Sequence, residues 1–270
     1  MRGICVILMV LDHAAMLIDY FSPSWYGIYG WYAQNMGNAL TRFCYQWTNG
    51  DIRLIVHNVV LVIFFGISGI SCTFSRSNRK RGALLMIVAL LYTMVTIFDE
   101  EVLGISGEVV TFGVLHFLAV CILLYALIDF LCRRDARSVS ICSLGIMAIT
   151  LILYFCYTPP ASTPIYFAFL FPPEDFWGNL SLFYRQFEVS PGDLFTVIPY
   201  AAYFFWGAVV APFIYSERKS LLPRLDGKWN KPLSFIGRHA LIFFLLHIPV
   251  IAGILALVSY FFVTPGSFGF

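Results

Sequence analysis

The chain has 270 residues, of which 60% are hydrophobic, 18% aromatic and only 12% charged, and its formal net charge is +2. The mean hydropathy of +0.81 and the scarcity of charge exclude an ordinary soluble domain, in which about 25% of residues are charged. Apolar runs of roughly 20 residues recur along the chain, and they are continuous rather than alternating. The sequence therefore predicts an all-α, polytopic transmembrane helical bundle.

We predict about seven spans, in a single transmembrane domain that covers residues 1–270. Their approximate bounds are 2–21, 54–74, 82–103, 110–131, 138–157, 194–215 and 233–262. The first run, RGICVILMVLDHAAMLIDYF, is too long for a signal-peptide core and lacks an A-x-A-like cleavage site. We therefore expect it to be a retained span.

Basic residues follow the second, fourth and sixth predicted spans, whereas the other loops are rich in Asp, Glu and aromatic residues. The clusters are Arg76, Arg79, Lys80 and Arg81, then Arg133, Arg134 and Arg137, then Arg218, Lys219, Arg224, Lys228 and Lys231. By the positive-inside rule, this alternation predicts a cytoplasmic N-terminus and an extracytoplasmic C-terminus. We expect a multi-pass protein of the cell membrane. Its expected partner is the lipid bilayer, and we expect it to bind no nucleic acid.

Two predicted outer loops, 22–53 and 158–193, are long and rich in aromatic or proline residues. The first holds Trp25, Tyr26, Tyr29, Trp31, Tyr32, Phe43, Tyr45 and Trp47. Two interpretations fit both loops: an aromatic belt at the membrane interface, or a surface on which a sugar stacks. The sequence leaves the choice between them open.

Asp12 and His13 lie side by side within the first span, His13 about 16 Å from its cytoplasmic end at 1.5 Å per residue. A charged group at the bilayer centre costs at least about 2.5 to 3.5 kcal/mol, so such residues are functional candidates. Neighbouring helical residues point about 100° apart, so Asp12 is not the obvious partner that orients His13. Asp12 would instead hold another helix or face the same cavity from its edge.

Other polar groups within the spans extend this pattern into a seam across the membrane. We expect imidazoles from separate helices to meet around a shared wet pocket that is reachable from both sides. By the same spacing, His116 lies about 9 Å below the outer end of the fourth span and His247 about 20 Å along the seventh. Arg238 and His239 fall in the inner half of the seventh span. Each histidine could instead join neighbouring helices by hydrogen bonds. Without a histidine pair at i and i+4, we expect no metal.

Two further features involve small or cationic residues. Ser68 lies with Gly69 and Ser71 in the second span, where small side chains let helices approach closely or line a cavity. Arg42 and Arg53 are cations on the predicted outer side, which the charge rule disfavours. We expect them to pair with Asp51 or with the acids at 99–101, or to meet an anionic group of a substrate.

Five segments carry most of the distinctive pattern, and in chain order they are RGICVILMVLDH, FFGISGISCTFSRS, FGVLHFLAVCILL, IPYAAYFFWGAVV and FIGRHALIFFLLHIPV. Together they resemble the bacterial membrane proteins that share the heparan-alpha-glucosaminide N-acetyltransferase catalytic domain. The resemblance implies a membrane acyltransferase that takes an acetyl group from cytosolic acetyl-CoA and delivers it to a sugar across the membrane. The lysosomal relative acetylates the amine of a terminal glucosamine.

The resemblance also implies a catalytic histidine near the first span. His13 is the only histidine in that part of the sequence. Histidine has the near-neutral pKa that a base for acyl transfer needs. It would act either as that base or as the carrier of the acetyl group. We expect His13 and Asp12 to be catalytic, and the substrate- and cofactor-binding residues to be His116, Arg238, His239, His247, Ser68 and Arg42.

The expected donor is acetyl-CoA or a similar acyl-CoA, the expected acceptor is a carbohydrate, and an oligomer is compatible with the sequence. An alternative function is a proton-coupled secondary transporter that uses the intramembrane histidines as a relay. The absence of a detectable internal repeat disfavours it. A purely structural membrane subunit would not explain Asp12 and His13 at such depth.

Overall fold

A computed structural model describes residues 1–20, 39–104, 109–160, 162–171, 186, 188–215 and 227–262. The described elements, in chain order, are α1 (Arg2–Tyr20), α2 (Ala39–Thr48), α3 (Asp51–Phe74), α4 (Asn78–Leu103), α5 (Val114–Leu131), α6 (Ala136–Cys156), α7 (Ile165–Ala168), α8 (Val197–Ile214), a 3-10 turn (Lys228–Asn230), α9 (Lys231–Arg238) and α10 (Ala240–Phe262). Several residues named above lie outside these ranges: Trp25, Tyr26, Tyr29, Trp31, Tyr32, Arg218, Lys219 and Arg224.

The predicted all-α membrane class is confirmed. In the described part of the chain, six helices are long and apolar enough to cross a bilayer: Asp51–Phe74, Asn78–Val102, Val114–Leu131, Ala136–Cys156, Val197–Ile214 and Ala240–Leu257. The remaining long helix, α1, carries Arg2, Asp12 and Asp19 within its 19 residues. A seventh span at α1, the sidedness of the termini and the single-domain organisation stay predictions.

The chain folds into two compact units, the first formed by Met1–Phe64 with Leu222–Phe270 and the second by Phe65–Leu221. In unit 1, α1 packs against α2, α9 and α10. Close approach is built into α1, because a Cβ atom at Gly3 would collide with the backbone carbonyl of Leu233 on α9. Small residues of this kind matter in membranes, where helices associate by packing rather than by the hydrophobic effect.

Unit 2 is built around α5, the most buried of the candidate spans. Helix α4 packs along α5, and α6 packs along α8. The core contains Phe65 and Phe117, whose ring centroids are 4.7 Å apart, together with the fully buried Phe204. Gly69 of α3 lies against α8, where a Cβ atom would collide with the carbonyl of Phe204. This agrees with the predicted use of small residues for close helix approach.

The predicted seventh span, 233–262, is wrong in its bounds. Helix α9 ends at Arg238, and α10 begins at Ala240. Between them His239 has φ −102° and ψ 23°, outside the regular helix. Gly237 is a weak helix former and the Arg238–His239 pair is costly in lipid, which explains the break. Both polar residues therefore precede the apolar helix instead of lying in its inner half.

Candidate functional site

Asp12 is held by two groups from the segments that follow α1 in the sequence. Its carboxylate accepts two hydrogen bonds from Arg53, Nε to Oδ1 at 2.8 Å and Nη2 to Oδ2 at 3.0 Å. The indole Nε1 of Trp47 donates a third, to Oδ1 at 2.9 Å. A bidentate charged pair of this kind is both strong and directional. Asp12 therefore holds α1 to the other two helices, which is one of the two roles expected for it.

A tight turn between α2 and α3 places Trp47 and Arg53 on the same carboxylate. The amide of Gly50 donates to the carbonyl of Trp47 at 3.2 Å, and the amide of Arg53 donates to the carbonyl of Gly50 at 3.1 Å. Asn49 extends the anchor, because its Nδ2 donates to Asp19 of α1 at 3.4 Å. The last turn of α2 and the first turn of α3 thus both bind to α1.

The ring of His13 is fixed in one tautomer by its own helix. Its Nδ1 lies 2.8 Å from the backbone carbonyl of Met9. Because a carbonyl only accepts, Nδ1 carries the proton in the neutral ring and Nε2 keeps its lone pair. Among the described residues, Nε2 has no hydrogen-bond partner. It is also not one of the fully buried polar atoms that lack a partner there. The neutral ring of His13 therefore presents Nε2 as a hydrogen-bond acceptor.

His247 of α10 lies directly against His13. The ring centroids are 4.8 Å apart and the planes meet at 82°, an edge-to-face contact. His247 donates from Nδ1 to the carbonyl of Phe244 at 2.6 Å, so its Nε2 is also an acceptor. That Nε2 atom is buried without a partner in the described part of the chain. The expected meeting of imidazoles from separate helices is thus observed for this pair.

A cavity of about 410 Å³ opens beside His13 within unit 1, between α1, α2 and the first half of α3. Asp12, His13, Trp47 and His57 supply its polar groups. The other lining side chains are almost all apolar: Leu8, Met9, Leu11, Ala14, Ala15, Ile18, Leu40, Phe43, Cys44, Val56, Val60 and Leu61. The pocket expected at His13 is therefore present, but it is apolar rather than wet.

His116, in unit 2, is enclosed in a different way. Its Nδ1 accepts from the amide of Gly113 at 3.4 Å, so the proton of the neutral ring lies on Nε2. Nε2 is 3.3 Å from the hydroxyl of Thr93, which itself donates to the carbonyl of Val110. The ring also stacks on Phe112 at 5.8 Å. Both nitrogens of His116 thus support the first turn of α5, and a substrate role for it stays a prediction.

Asp193 completes the start of α5. Its Oδ2 accepts from the amide of Val114 at 2.8 Å, which satisfies one of the free N–H groups of the first turn. Burial raises the pKa of Asp193 to about 6, and the bond from Val114 opposes part of that rise. The nearby hydroxyl of Ser190 accepts from the amides of Thr111 and Phe112 at 3.1 and 3.2 Å. This corner is a polar support for the helix end.

The remaining predicted binding residues are dispersed. Ser68 is buried on α3 in unit 2. Arg42 is exposed on α2 and does not line the cavity at His13. Arg238 is exposed at the end of α9, and the exposed His239 donates from Nδ1 to the carbonyl of Phe235 at 2.9 Å. A binding role for each of these four residues stays a prediction.

Unit 2 also contains a cationic pocket of about 550 Å³. Arg76 lines it from the turn before α4, Arg79 and Lys80 from the first turn of α4, and Arg134 from the turn after α5. Asp129 is the only carboxylate among its lining residues. In the described part of the chain, none of the four cations forms an ion pair with a carboxylate. The first and second basic clusters of the sequence thus meet in one concave surface.

Sequence reasoning missed the two partners of Asp12. For Arg53, a cation on the disfavoured side, the sequence suggests Asp51, the acids at 99–101 or an anionic group of a substrate as partners. The ion pair with Asp12 replaces those candidates. The signal was present, since an intramembrane acid requires a cation and Arg53 begins the next apolar run. Trp47 gave no signal that separated it from the other aromatic residues of its loop.

Within the described ranges, no group of three or more histidine, cysteine, aspartate or glutamate side chains is placed to hold a metal ion. The sequence model of the family described as Heparan-alpha-glucosaminide N-acetyltransferase, catalytic, matches residues 1–249. No curated protein and no solved structure matches the chain. The family match covers α1 to α9, the first part of α10 and every residue of the site at His13.

Proposed function

The chain belongs to the heparan-alpha-glucosaminide N-acetyltransferase catalytic-domain family, and from this premise we propose that it transfers acetyl from cytosolic acetyl-CoA to an extracytoplasmic sugar. The family makes it a membrane acetyltransferase; the donor and the side of the acceptor are our proposal. One observation carries the site assignment. His13 lines the cavity between α1, α2 and the first half of α3, and the carbonyl of Met9 fixes its neutral ring with the proton on Nδ1.

We propose that Nε2 of His13 acts as the general base. It takes a proton from the amine or hydroxyl of the acceptor, whose nitrogen or oxygen attacks the thioester carbonyl carbon of acetyl-CoA. The tetrahedral intermediate then breaks its carbon–sulfur bond, and the departing thiolate receives the proton from the His13 imidazolium. The products are the acetylated sugar and free CoA. His247 packs edge-to-face against His13 but is not among the side chains that line the cavity, so a binding role for it stays a prediction.

Asp12 acts as a positioning residue in this proposal. Its carboxylate is occupied by Arg53 and Trp47, so it has no free role as an acid or base. What it fixes is the place of α1 relative to α2 and α3, and with it the wall of the cavity that carries His13. Small displacements of a catalytic group cost large factors in rate, so a rigid anchor beside it is useful.

The donor end requires cations, because acetyl-CoA carries several phosphate charges. We propose that Arg238, exposed at the end of α9 in the same unit as His13, recognises phosphate oxygens of the donor. An arginine fork suits such oxygens because it binds them in pairs of hydrogen bonds.

A sided vesicle assay tests this function. Inside-out membrane vesicles that contain the chain receive acetyl-labelled acetyl-CoA outside and glucosamine inside. We expect labelled N-acetylglucosamine to accumulate inside, and vesicles with His13→Ala to form none at equal protein content. Release of the enclosed glucosamine driven by a pH gradient alone, with no acetylated product, would contradict acetyl transfer and support the transporter.

A further inference from the structure

The cavity at His13 has walls that a sugar does not match. Sugar hydroxyls require hydrogen-bond partners, and burying them against apolar side chains is unfavourable. Asp12, His13, Trp47 and His57 supply the polar groups of the lining, and Asp12 is already occupied by Arg53 and Trp47. The rest of the surface is built from leucine, valine, isoleucine, alanine, phenylalanine, methionine and cysteine. Such a surface gains most by covering a hydrocarbon chain.

The position of the cavity indicates which substrate carries that chain. Its lining residues come from positions 8–18 of α1, 40–47 of α2 and 56–61 of α3. By the topology predicted from the basic clusters, these segments belong to the middle and outer half of the membrane. The donor arrives from the cytoplasm, and its acetyl group has only two carbons. The hydrocarbon therefore belongs to the acceptor.

We propose that the acceptor is a glycolipid, whose hydrocarbon chain lies in the apolar cavity while its sugar amine or hydroxyl meets His13. This inference rests on the proposed acetyl transfer and names the class of its acceptor. The acceptor would enter from the bilayer, and its apolar part would occupy the wall formed by Ala14, Val60 and Leu61. The hydrocarbon chain of the acceptor then determines specificity, and the polar groups near His13 contact only the sugar group that reacts.

Two neighbouring valines of α3 provide a matched test. Val60 lines the cavity, whereas Val59 is 52% exposed and does not. The experiment measures acetylation of dodecyl glucosaminide and of methyl glucosaminide in nanodiscs, and compares the ratio of the two rates between variants. Partitioning of the long acceptor into the bilayer cancels in that comparison. Val60→Phe should lower the dodecyl-to-methyl ratio by about tenfold or more, and Val59→Phe should leave it unchanged.

A second variant protects the test from a folding defect. Ala14→Leu fills the cavity from α1, and the same fall in the ratio is expected. A ratio that stays at the wild-type value in both folded filling variants would overturn the proposal. An equal fall in Val59→Phe would also overturn it, because that result indicates a general effect on α3.

Photolabelling separates failure of this inference from failure of the proposed function. A dodecyl glucosaminide with a diazirine on its chain should label residues 56–61 of α3, and excess unlabelled dodecyl glucosaminide should remove that label. If the label is removed but no acceptor is acetylated, the hydrocarbon site stands and acetyl transfer is refuted. If methyl glucosaminide is acetylated but the label persists under competition, ordinary bilayer lipid fills the cavity and the glycolipid is refuted.

Discussion

His13 and His116 are both histidines of long apolar helices, yet the two units use them differently. His116 has both ring nitrogens bonded, to Gly113 and Thr93, and one face stacked on Phe112. His13 has one nitrogen bonded to its own helix and leaves the other at a cavity. Their tautomers are opposite, since the proton lies on Nδ1 of His13 and on Nε2 of His116. Position within an apolar helix alone therefore does not decide how the ring nitrogens of a histidine are bonded.

The surroundings of the two rings show what the difference depends on. The corner at His116 contains Thr93, Ser190 and Asp193, which satisfy the backbone at the start of α5. The polar groups at His13 are organised around Asp12 instead, and that carboxylate does not contact the ring through any hydrogen bond in the described chain. The acetyl transfer that we propose depends on this arrangement, in which Nε2 of His13 has no partner among the described residues and the neighbouring carboxylate is held in place.

The largest expected effect is the loss of activity on replacing His13. Removal of a general base lowers rates by about 10²–10⁴-fold, and we expect His13→Gln to fall in this range because glutamine cannot take the proton. The measurement is acetyl transfer per folded molecule, with the thermal midpoint as the control. A His13→Gln enzyme with full activity and normal stability would contradict the role of His13 as the general base.

Breaking the Asp12–Arg53 pair should be the largest effect on stability. Removing one partner of a buried pair costs about 3–5 kcal/mol. The side chains of Arg53 and Asp12 are 25% and 12% exposed, so solvent screening should keep the cost of Asp12→Leu below that range.

The matched control for this pair is the double variant Asp12→Leu with Arg53→Leu, which removes both charges at once. We expect it to unfold at a higher temperature than either single variant, because no uncompensated charge remains. Additive losses in thermal unfolding would refute the anchoring role of the pair.

His116→Leu should reduce stability by a smaller amount. Leucine keeps the bulk but leaves the amide of Gly113 without its acceptor, and an unsatisfied buried donor costs about 1–3 kcal/mol. Thermal unfolding in nanodiscs measures the loss. A variant that keeps the wild-type midpoint but loses acetyl transfer would place His116 in the chemistry and reverse the comparison.

The smallest expected effect is a pH dependence at the same corner. The pKa of Asp193 is raised from 3.8 to about 6, so between these values the folded chain binds more protons than the unfolded chain. The contribution of Asp193 to the free energy of unfolding therefore falls as pH rises from 3.8 to about 6, and it is constant at higher pH. Asp193→Asn should remove that slope from the thermal midpoint.

Asp135→Asn is the matched control for that slope. Asp135 also accepts at a helix start, but its hydrogen bonds from Ser138 lower its pKa below 3.8. Its contribution is complete above the unfolded pKa and is lost only at lower pH, so the slope between pH 4.5 and 6.5 should survive in this variant. A wild-type slope in Asp193→Asn would contradict the assignment.

Much of the fold followed from the sequence because the membrane imposes it. Continuous apolar runs predicted the long helices, and their bounds agree with α3, α5, α6 and α8 within a few residues. The break at His239 was not predicted, because hydropathy averaged over a window does not register a single glycine followed by two polar residues. Local backbone geometry decides such breaks.

The candidate site followed only in part. The cost of burying Asp12 and His13 identified them directly. The contact between His13 and His247 was expected, but the isolation of His116 in its own hydrogen bonds was not, since partners such as Thr93 and Gly113 carry no distinctive pattern. Tautomers, and therefore roles, depend on which carbonyls and amides are near, and that is tertiary information.

Selective chemical modification tests the contrast between the two histidines most directly. Diethyl pyrocarbonate acylates accessible unprotonated imidazole nitrogens, and mass spectrometry of the treated protein in nanodiscs gives the extent at each histidine. We predict that His13 is modified, that His116 is protected, and that acetyl transfer declines in step with His13. Equal modification of His116, or loss of activity before His13 reacts, would contradict the account.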